Sequence, residues 1–425
     1  MRPDRGRRIL GRRDLAVAFA ALVVVLTLAG GRGDAAAPAA APGDLQRLVD
    51  ATPSGGTLRP PPGTYAGGVT IDRPIALAGG GGVVIDGRGT GTVVTIRTRG
   101  ASLTGVRIVG SGESVDRLDA GVRVEGDANL VADNDVDDVL FGIVVHQGIG
   151  NTVRGNRVRG KALPVGERGD GLRLWLARDT KVEGNRFERV RDLTLANSPD
   201  NRVVGNRLRD GRYGMHVVFS PRTLVERNDV AQTSTGIVVL YSRNLVVRGN
   251  RVVDARDAGG GGLAFKESGE ALVEGNEIVH CSVGLSANAP LAEDAAIDVR
   301  GNRFAHNTVG MWFYGEQGGH RIVDNRFQWN LTTVAISGAG TASANVWHGN
   351  HWDDYAGFDR DGDGVGDLPH DLYAWADRIW MELPQAKFFA NSPALELIDF
   401  LERLAPFVAP ARILRDPKPR ISPGA

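Results

Sequence analysis

The stretch that decides the fold is Gly205-Asn206-Arg207-Leu208, which is followed eight residues after Asn206 by Gly214-Met215-His216-Val217. The asparagine returns along the chain at steps that run from 21 residues, between Asn185 and Asn206, to 29 residues, between Asn156 and Asn185. A period of roughly 22 residues indicates a stacked array of similar units rather than a globular domain. The recurring asparagines are Asn134, Asn156, Asn185, Asn206, Asn228, Asn250, Asn276, Asn302, Asn325 and Asn350.

The second phrase also recurs, and it reads glycine, apolar, any residue, apolar. This period-2 pattern predicts short strands between glycine and asparagine turns. No repeat shows the period of a helix, which excludes the helical solenoids, and the dense leucine ladder of leucine-rich repeats is absent. The repeats therefore predict an all-β fold, a single-stranded right-handed parallel β-helix whose coils pair about 4.8 Å apart. The phrase occurs at Gly142-Ile143-Val144-Val145, Gly214-Met215-His216-Val217, Gly236-Ile237-Val238-Val239, Gly284-Leu285-Ser286-Ala287 and Gly310-Met311-Trp312-Phe313.

Asparagine suits the corners of such coils because it tolerates the left-handed backbone region. Identical asparagines on neighbouring coils also form side-chain amide ladders. The longest steps between asparagines predict insertions that bulge as loops from one edge of the solenoid. Besides the ten coils marked by asparagine, we expect about two or three looser ones, around Val69–Ile71, Val83–Ile85, Val93–Ile96 and Leu103–Ile108.

The N-terminus has the features of an export signal. Arginines precede an apolar run from Leu15 to Leu28, and small residues follow it, which predicts a signal peptide at residues 1–41. The run is short for a membrane span. Arg12-Arg13 directly before the run leaves a twin-arginine signal open beside an ordinary secretory one, and an uncleaved anchor is a further alternative. Each of these predicts that the body of the protein is exported.

The composition excludes two features. The chain carries 50 basic and 50 acidic residues, and this zero formal net charge predicts no nucleic-acid partner. Cys281 is the only cysteine, so no internal disulfide can form. We therefore expect the packed core and the strand ladder to hold the exported protein together.

The asparagine repeat stops at Asn350, which predicts a β-helix over residues 44–350 and a C-terminal cap over residues 351–425. Near the start of the cap, residues 359–370 follow the pattern of a calcium loop, with His370 instead of glutamate at position 12. The predicted ligands at positions 1, 3, 5, 7 and 9 are Asp359, Asp361, Asp363, the carbonyl of Val365 and Asp367. A solvated Asp/Gly turn without metal is the alternative.

An amphipathic helix is predicted later in the cap. Ser392 is a suitable N-cap, Pro393 suits the first helical position, and Ile398 and Leu401 lie on one apolar face. This helix would close the open end of the solenoid or dock onto a partner. The proline-rich tail from Pro406 is expected to be extended.

Four stretches of the chain carry a resemblance to one known family. The most specific of them joins Trp352-Asp353-Asp354-Tyr355, the Asp/Gly loop and Asn391-Ser392-Pro393-Ala394. The other three are Gly169-Asp170-Gly171-Leu172-Arg173-Leu174-Trp175, then Arg209 to His216 with Phe219-Ser220, and Gly249-Asn250-Arg251 through Phe265-Lys266. In these stretches the chain resembles the NosD family of exported β-helix proteins.

The resemblance implies a periplasmic accessory protein of nitrous oxide reductase maturation, which assists copper or sulfur delivery to the copper–sulfur centre. It implies three partners: an ABC-type membrane transporter complex, a copper-delivering chaperone and nitrous oxide reductase itself. Membrane contact is then expected through a partner only. Copper is the implied transient cofactor, and calcium is a possible structural ion from the Asp/Gly loop.

Copper(I) prefers thioether, thiolate and imidazole ligands. The residues that supply these groups, methionine, cysteine and histidine, are scarce in the sequence. His280 and His306 each fall four residues after a repeat asparagine, so they should stack on neighbouring coils, with Cys281 adjacent. A polar corner ladder without metal is the alternative. Met215 should point inward and His216 outward, so these two are expected to share a metal only if the strand is distorted, and Met215 otherwise fills the core.

The outward positions of the strand phrase form a candidate partner surface. An exposed strand face is usually polar, whereas this one carries large apolar residues and so predicts a binding face. The alternative is that an insertion loop or the C-terminal cap covers it. The candidate partner residues on this face are Trp175, His216, Leu240, Trp312 and Tyr314, to which the predicted helix adds Pro393, Ile398 and Leu401.

An exported carbohydrate-binding or polysaccharide-degrading β-helix is the rival function. Glycoside hydrolysis needs two carboxylates across a cleft. Asp138, Asp210 and Asp254 each lie four residues after an asparagine but on coils that are not neighbours, and Asp170 has no obvious partner. The sequence therefore favours a protein that is not an enzyme.

Overall fold

A computed structural model describes residues 44–288, 295–315, 318–337, 342–373 and 412–421. Each coil contributes strands to three parallel sheets, which we call B, C and A in the order in which the chain meets them. The pairings between successive coils are parallel, as in Arg207↔Asp229 and Met215↔Ile237, and the register shifts at Gly160, after Asp192 and between Ala78 and Val83. This architecture confirms the predicted parallel β-helix.

Sheet B leads each coil towards the asparagine corner. Its strands are Thr57–Leu58, Leu130–Ala132, Thr152–Arg154, Lys181–Glu183, Arg202–Val204, Leu224–Glu226, Val246–Arg248, Ala271–Glu274, Ile297–Arg300, Arg321–Val323 and Val346–His348, with the first parts of Ala76–Asp86 and Ser102–Val109.

Sheet C follows the asparagine. Its strands are Gly63–Ala66, Asp135–Val139, Arg157–Gly160, Arg186–Glu188, Arg251–Val253, Glu277–Val279, Arg303–Ala305, Arg326–Gln328 and His351–Trp352, with the second parts of Ala76–Asp86 and Ser102–Val109 and the first parts of Arg207–Val218 and Asp229–Leu240.

Sheet A contains the strands of the glycine phrase. They are Val69–Ile71, Val94–Ile96, Ala120–Glu125, Phe141–His146, Leu172–Trp175, Asp192–Ala196, the second parts of Arg207–Val218 and Asp229–Leu240, then Leu263–Lys266, Val283–Asn288, Val309–Tyr314 and Thr332–Ser337. Of these twelve described strands, nine follow a marked asparagine and three precede Asn134, in agreement with the expected looser coils.

The core is a set of columns of like side chains, because the strand period is two and the register is kept along most of each pairing. One column of sheet B stacks Val203, Val225 and Val247, each at most 1% exposed. A column of sheet C ends in aromatic rings, where Phe327 stacks on Trp352 with centroids 4.6 Å apart. Burying each such side chain contributes roughly 1.5–3 kcal/mol.

The asparagines form the ladder that their period predicts. Asn228 donates from Nδ2 to Oδ1 of Asn250 (2.9 Å) and to the carbonyl of Val203 (2.9 Å), and its backbone N–H also donates to Asn250 (2.9 Å). The same bonds recur from coil to coil between buried asparagines. Each amide thus satisfies a corner that the strand ladders leave unpaired.

The glycine of the second phrase is required by close approach of the backbone. A Cβ placed on Gly214 would collide with the carbonyl oxygen of Gly236 on the next coil and with the side chain of Val230. The phrase therefore begins with glycine where the chain enters sheet A.

Both ends of the solenoid are capped. At the N-terminal end, helix Asp44–Ala51 buries Leu45 and Val49, and the Gln46 amide exchanges two hydrogen bonds with the backbone of Thr70. The predicted β-helix range thus begins with a helix rather than a strand. Among the described residues, no helix is long and apolar enough to cross a membrane.

At the C-terminal end, part of the tail that the sequence predicts to be extended forms a strand. Arg412–Asp416 pairs antiparallel with His370–Tyr373, and the fully buried carboxylate of Asp416 accepts both the backbone N–H and the Nδ2 of Asn350 (3.0 Å each). Asp416 thereby occupies the place of the next ladder asparagine. The predicted helix from Pro393, with Ile398 and Leu401, lies outside the described residues.

Two of the three insertions lie at the corner between sheets C and A, which we call the C–A corner. One runs from Lys161 to Asp170 and includes the 3-10 helix Val165–Glu167, and the other spans residues 254–262. The third follows Val283–Asn288 and leads into sheet B, and its residues 289–294 lie outside the described ranges. The expectation that all insertions leave from one edge is therefore wrong.

Candidate functional site

The C–A corner carries the predicted pair of histidines side by side. His280 and His306 have ring centroids 5.2 Å apart, and both adopt left-handed backbone angles, with φ of 56° and 55°. Both side chains are exposed, 47% in the case of His280. Because equivalent residues on successive coils are one strand spacing apart, their shared position explains the contact.

The column that contains these histidines extends in both directions. Asp254 precedes His280, with 3.9 Å between its Oδ1 and the Nδ1 of His280, and Trp329 follows His306, with ring centroids 4.8 Å apart. Trp329 is 61% exposed. Sequence reasoning missed Trp329, although it lies four residues after Asn325 and so shares the offset that located the histidines.

Cys281 does not join the histidines. Its side chain points into the core, it is 2% exposed, and its Sγ lies 3.4 Å from the carbonyl of Val279. Burial raises the pKa of this thiol to about 11, so the thiolate that binds metals is disfavoured. The thiol is therefore a core side chain in this structure.

Met215 and His216 point to opposite faces of sheet A, as their spacing requires. Met215 is 1% exposed in the core, and His216 packs edge-on against Tyr213 with centroids 5.2 Å apart. Burial on the outer face lowers the pKa of His216. Nothing distorts the strand so that the two side chains meet, and Met311 is likewise buried.

Beside His216 lies a cluster of charges that the sequence did not reveal. Asp170 is fully buried, and its carboxylate binds Arg191 (2.9 Å) and Arg173 (3.1 Å). Asp192, equally buried on the next coil, binds both Arg212 and the backbone N–H of Tyr213 (3.0 Å). Asp192 is the neighbouring carboxylate that the sequence analysis did not identify for Asp170. In the sequence, the indication of this charge cluster is that Asp192 stands where other coils have the glycine of the second phrase.

These buried carboxylates do not resemble a hydrolytic pair. Burial raises the pKa of Asp170, whereas Arg191 and Arg173 lower it. Both carboxylates are covered by guanidinium groups, and neither has an open side across which a substrate and a water could lie. The cluster lies instead where the strand Asp192–Ala196, which lacks the glycine, pairs with Arg207–Val218 through a bulge.

Two of the other carboxylates considered from the sequence, Asp210 and Asp254, share a shallow cleft, whereas Asp138 lies 3.6 Å from the Nζ of Lys161. A space of about 310 Å³ at the C–A corner is lined by Asp210, Asp254 and Arg256 together with Val165 of the insertion. Asp210 is ion-paired with Arg168 (3.0 Å) and Asp254 with Arg256 (2.7 Å). Neither has the apolar surroundings that create the protonated acid of a glycosidase.

The outward face of sheet A is not one continuous apolar strip. Lys266 and Asn288 stand between Leu240 and Tyr314, and Ser286 stands before Trp312. At the N-terminal end, Val144 is buried under Leu118 and Leu163. The prediction of one apolar face is therefore wrong, because polar residues at these outward positions divide it.

Two separate apolar patches result. In the first patch, Trp175 and Leu240 lie on the outer face of sheet A. The patch continues at the adjacent corner, where the exposed Phe219 stacks on the half-buried Tyr241 with ring centroids 4.9 Å apart. The second patch consists of Trp312 and Tyr314, whose rings meet edge-on at 5.9 Å. Tyr314 is 50% exposed.

The Asp/Gly loop holds three carboxylates together. Oxygen atoms of Asp359, Asp361 and Asp363 lie within 4.8 Å of one another. Backbone N–H groups of Gly364 and Gly362 bind Asp359 and hold the pKa of its carboxyl below the ordinary value. Of the other predicted ligands, Asp367 accepts the N–H of Arg360 (2.8 Å), and Val365 donates its N–H to Asp363 (2.8 Å).

These features define an elongated parallel β-helix with an imidazole pair at one corner and aromatic patches on one face. The fold is similar to that of the A-modules of two mannuronan C-5 epimerases of Azotobacter vinelandii. For AlgE6 the TM-score is 0.58 at 17% identity, covering 71% of this chain and 93% of the module. For AlgE4 the TM-score is 0.51 at 15% identity, covering 70% and 94%. At such identities the similarity establishes the fold alone.

The comparison of sequences is more specific. A family model described as "Periplasmic copper-binding protein (NosD)" matches residues 158–357. The chain is 30% identical over 366 residues to the "Probable ABC transporter binding protein NosD" of Pseudomonas aeruginosa, covering 81% of this chain and 84% of the relative. A relative of the same name from Stutzerimonas stutzeri is 26% identical over 420 residues, covering 92% and 91%. The chain belongs to the NosD family.

Proposed function

We propose that this protein is a periplasmic accessory protein for nitrous oxide reductase maturation, which handles copper or sulfur for the copper–sulfur centre together with an ABC-type membrane complex. The description of the family as periplasmic and copper-binding, and the naming of two relatives as ABC transporter binding proteins, support this proposal. A copper-delivering chaperone and nitrous oxide reductase complete the proposed set of partners.

The observation that carries the proposal is the exposed imidazole pair of His280 and His306. Imidazole is a ligand that suits copper, and the two rings are in contact on a rigid corner. The thiol of Cys281 and the thioethers of Met215 and Met311 are buried, and Met381 lies outside the described residues. The histidines are therefore the first candidates for copper contact, ahead of Cys281, Met215 and His216.

Partner contact is proposed at the two aromatic patches. Aromatic side chains dominate protein interfaces, where truncating one can cost about 2 kcal/mol or more. Trp312, Tyr314, Trp175 and Leu240 protrude from a sheet whose inner face is fully packed, so their removal leaves the core intact.

A test in cells separates the two parts of the proposal. His280→Asn with His306→Asn should lower the copper–sulfur content of nitrous oxide reductase while the ABC-type complex still co-purifies with the protein. Trp312→Ala with Tyr314→Ala should weaken co-purification of that complex, and Trp175→Ala with Leu240→Ala tests the first patch in the same way. Asn288→Ala, at a polar outward position between the patches, and the exposed His348→Asn are the matched controls.

Three results would decide against the proposal. Full cofactor content with the histidine pair removed would exclude these ligands. Normal co-purification with both patches altered would leave the helix predicted from Pro393 as the candidate contact. Activity of the purified protein on a polysaccharide, with no effect of its loss on nitrous oxide reductase, would favour the rival carbohydrate-active function.

A further inference from the structure

The C–A corner places four polar or aromatic side chains in one column. Asp254, His280, His306 and Trp329 lie on successive coils, each four residues after its ladder asparagine, and their φ angles are 59°, 56°, 55° and 52°. Because the left-handed conformation is the same at each position, the four side chains leave the backbone in the same direction, one strand spacing apart. Such a repeated corner can present adjacent groups to a single ligand.

We propose that this column is a single copper(I) site, in which His280 and His306 are the ligands and Asp254 and Trp329 are positioning residues. The inference rests on the proposed function and goes beyond it, since it assigns roles to two residues that are not ligands. The column is Asp254–His280–His306–Trp329, and we call it the corner site.

The spacing of the two imidazoles suits one shared ion. Metal–nitrogen bonds to histidine are about 2.0–2.1 Å long. With ring centroids 5.2 Å apart and ring planes inclined by 54°, a nitrogen of each ring can reach one ion between the ring edges after small side-chain rotations. Exposure of both rings keeps this point open to solvent and to a partner.

Asp254 selects which nitrogen of His280 is free. A histidine ligand commonly donates its other ring N–H to a carboxylate, which fixes the tautomer and the ring orientation. Nδ1 of His280 faces Oδ1 of Asp254 at 3.9 Å, a distance that becomes a hydrogen bond through a small closure or a bridging water. Nε2 is then the nitrogen left for the metal.

Asp254 is itself held in place. Arg256 binds its carboxylate (2.7 Å) and also donates from Nε to the backbone carbonyl of His280 (3.1 Å). The arginine thus joins the carboxylate and the ligand into one rigid unit. The carboxylate faces Nδ1 of the first imidazole, so it acts behind the ligand rather than as a ligand.

Trp329 fixes the second imidazole from the opposite side. Its ring is nearly parallel to that of His306, at an angle of 26° and a centroid distance of 4.8 Å, so one face of the imidazole is covered while its nitrogen edges remain free. The backbone N–H of Trp329 donates to the carboxylate of Asp353, which anchors the tryptophan at the corner.

The resulting donor set indicates which ion binds. Two neutral imidazoles suit copper, whereas calcium and magnesium require several oxygen ligands. Two protein ligands also leave a coordination position that a partner's side chain can fill. An open position of this kind is what transient cargo needs, because the ion can pass to an acceptor without first being released into solvent.

The test is a copper(I) titration of the folded mature protein under anaerobic, reducing conditions, in competition with a chromophoric copper(I) chelator. Intrinsic tryptophan fluorescence is recorded in parallel. The variants are His280→Asn, His306→Asn, Asp254→Asn and Trp329→Phe. The controls are Asp210→Asn, which occupies the same corner position two coils before Asp254, and Trp312→Phe, which lies on sheet A.

We expect each histidine variant to abolish competition with the chelator. Asp254→Asn should weaken copper(I) binding by about 10-fold or more, the usual effect of removing a group that orients a metal-binding histidine. Copper(I) should change the tryptophan emission of the wild type and of Trp312→Phe, and should not change that of Trp329→Phe. Asp210→Asn should bind as the wild type does.

The outcomes distinguish the two levels of the argument. Unchanged affinity in the histidine variants would remove the copper ligands named under the proposed function, and the corner site with them. Loss of binding in the histidine variants, with wild-type affinity in Asp254→Asn and an unchanged fluorescence response in Trp329→Phe, would overturn the corner site alone. Circular dichroism of every variant verifies that the coils are folded.

Discussion

At the scale of single residues, the buried asparagine does most to specify this protein. Each ladder amide both accepts and donates at a corner where the backbone cannot pair with another strand. A side chain that lacks either function would leave buried backbone groups unsatisfied, which costs about 1–3 kcal/mol for each group. This explains why the same residue type recurs while its neighbours vary.

Replacing one ladder residue tests this explanation. Asn228→Ala removes the acceptor of the backbone N–H and of the Nδ2 of Asn206, and the donor to Val203. We expect the free energy of unfolding to fall by about 1–3 kcal/mol or more, measured by urea denaturation. Asn197→Gly, at an exposed left-handed corner that glycine tolerates, should change it little. Equal effects of the two variants would contradict a special role for the ladder.

At the scale of strands and loops, the sequence predicted what repeats and missed what does not. The asparagine offset located His280 and His306 on one corner, and the same offset could have located Trp329. It could not locate Asp192, because that coil lacks the glycine by which the outward strands were aligned. It could not predict Asp416 either, since the residue that ends the ladder lies 66 positions after Asn350 and is brought there by a separate strand pair.

The Asp/Gly loop adds a contact between the C-terminal tail and the end of the ladder. Gly366 donates its N–H to the carbonyl of Pro419 (2.8 Å), and Ile421 donates to the carbonyl of Gly364 (3.1 Å). A loop held by an ion would therefore stiffen the segment that carries Asp416. The predicted calcium site and the observed cap are in this way parts of one element.

We predict that calcium binds this loop and stabilises the cap. Three carboxylates within 4.8 Å of one another repel in the absence of a cation, and a hard divalent ion with oxygen ligands relieves that repulsion. Calcium should raise the melting temperature, and calorimetry should show binding that Asp361→Asn with Asp363→Asn abolishes. Melting temperatures that are equal with calcium and with a chelator would leave the loop as a turn without metal.

At the scale of the whole molecule, the solenoid separates its functions along its length. The first aromatic patch precedes the corner site along the solenoid, and the second patch lies on the coil that also carries His306. Each coil contacts only its neighbours through the parallel ladders. Stability is then close to a sum over coils. The distance between the two patches is set by how many coils separate them.

Removing one coil is therefore the most informative change. Deletion of residues 228–249 brings Arg207 against Arg251 and Met215 against Leu263, so both the ladder and the inward columns continue in register. We expect this protein to fold cooperatively, with a lower melting temperature, and to keep copper(I) binding at His280 and His306. Deletion of residues 228–238 alone should prevent folding, because half a coil puts corners against strands.

The intact-coil deletion also shortens the distance from Trp175 to Trp312 by about 4.8 Å. The same deletion removes Leu240 and Tyr241 from the first patch, so co-purification of the ABC-type complex should fall if that patch is a contact. Normal co-purification would show that one patch suffices, and failure of the coil deletion to fold would contradict the independence of the coils.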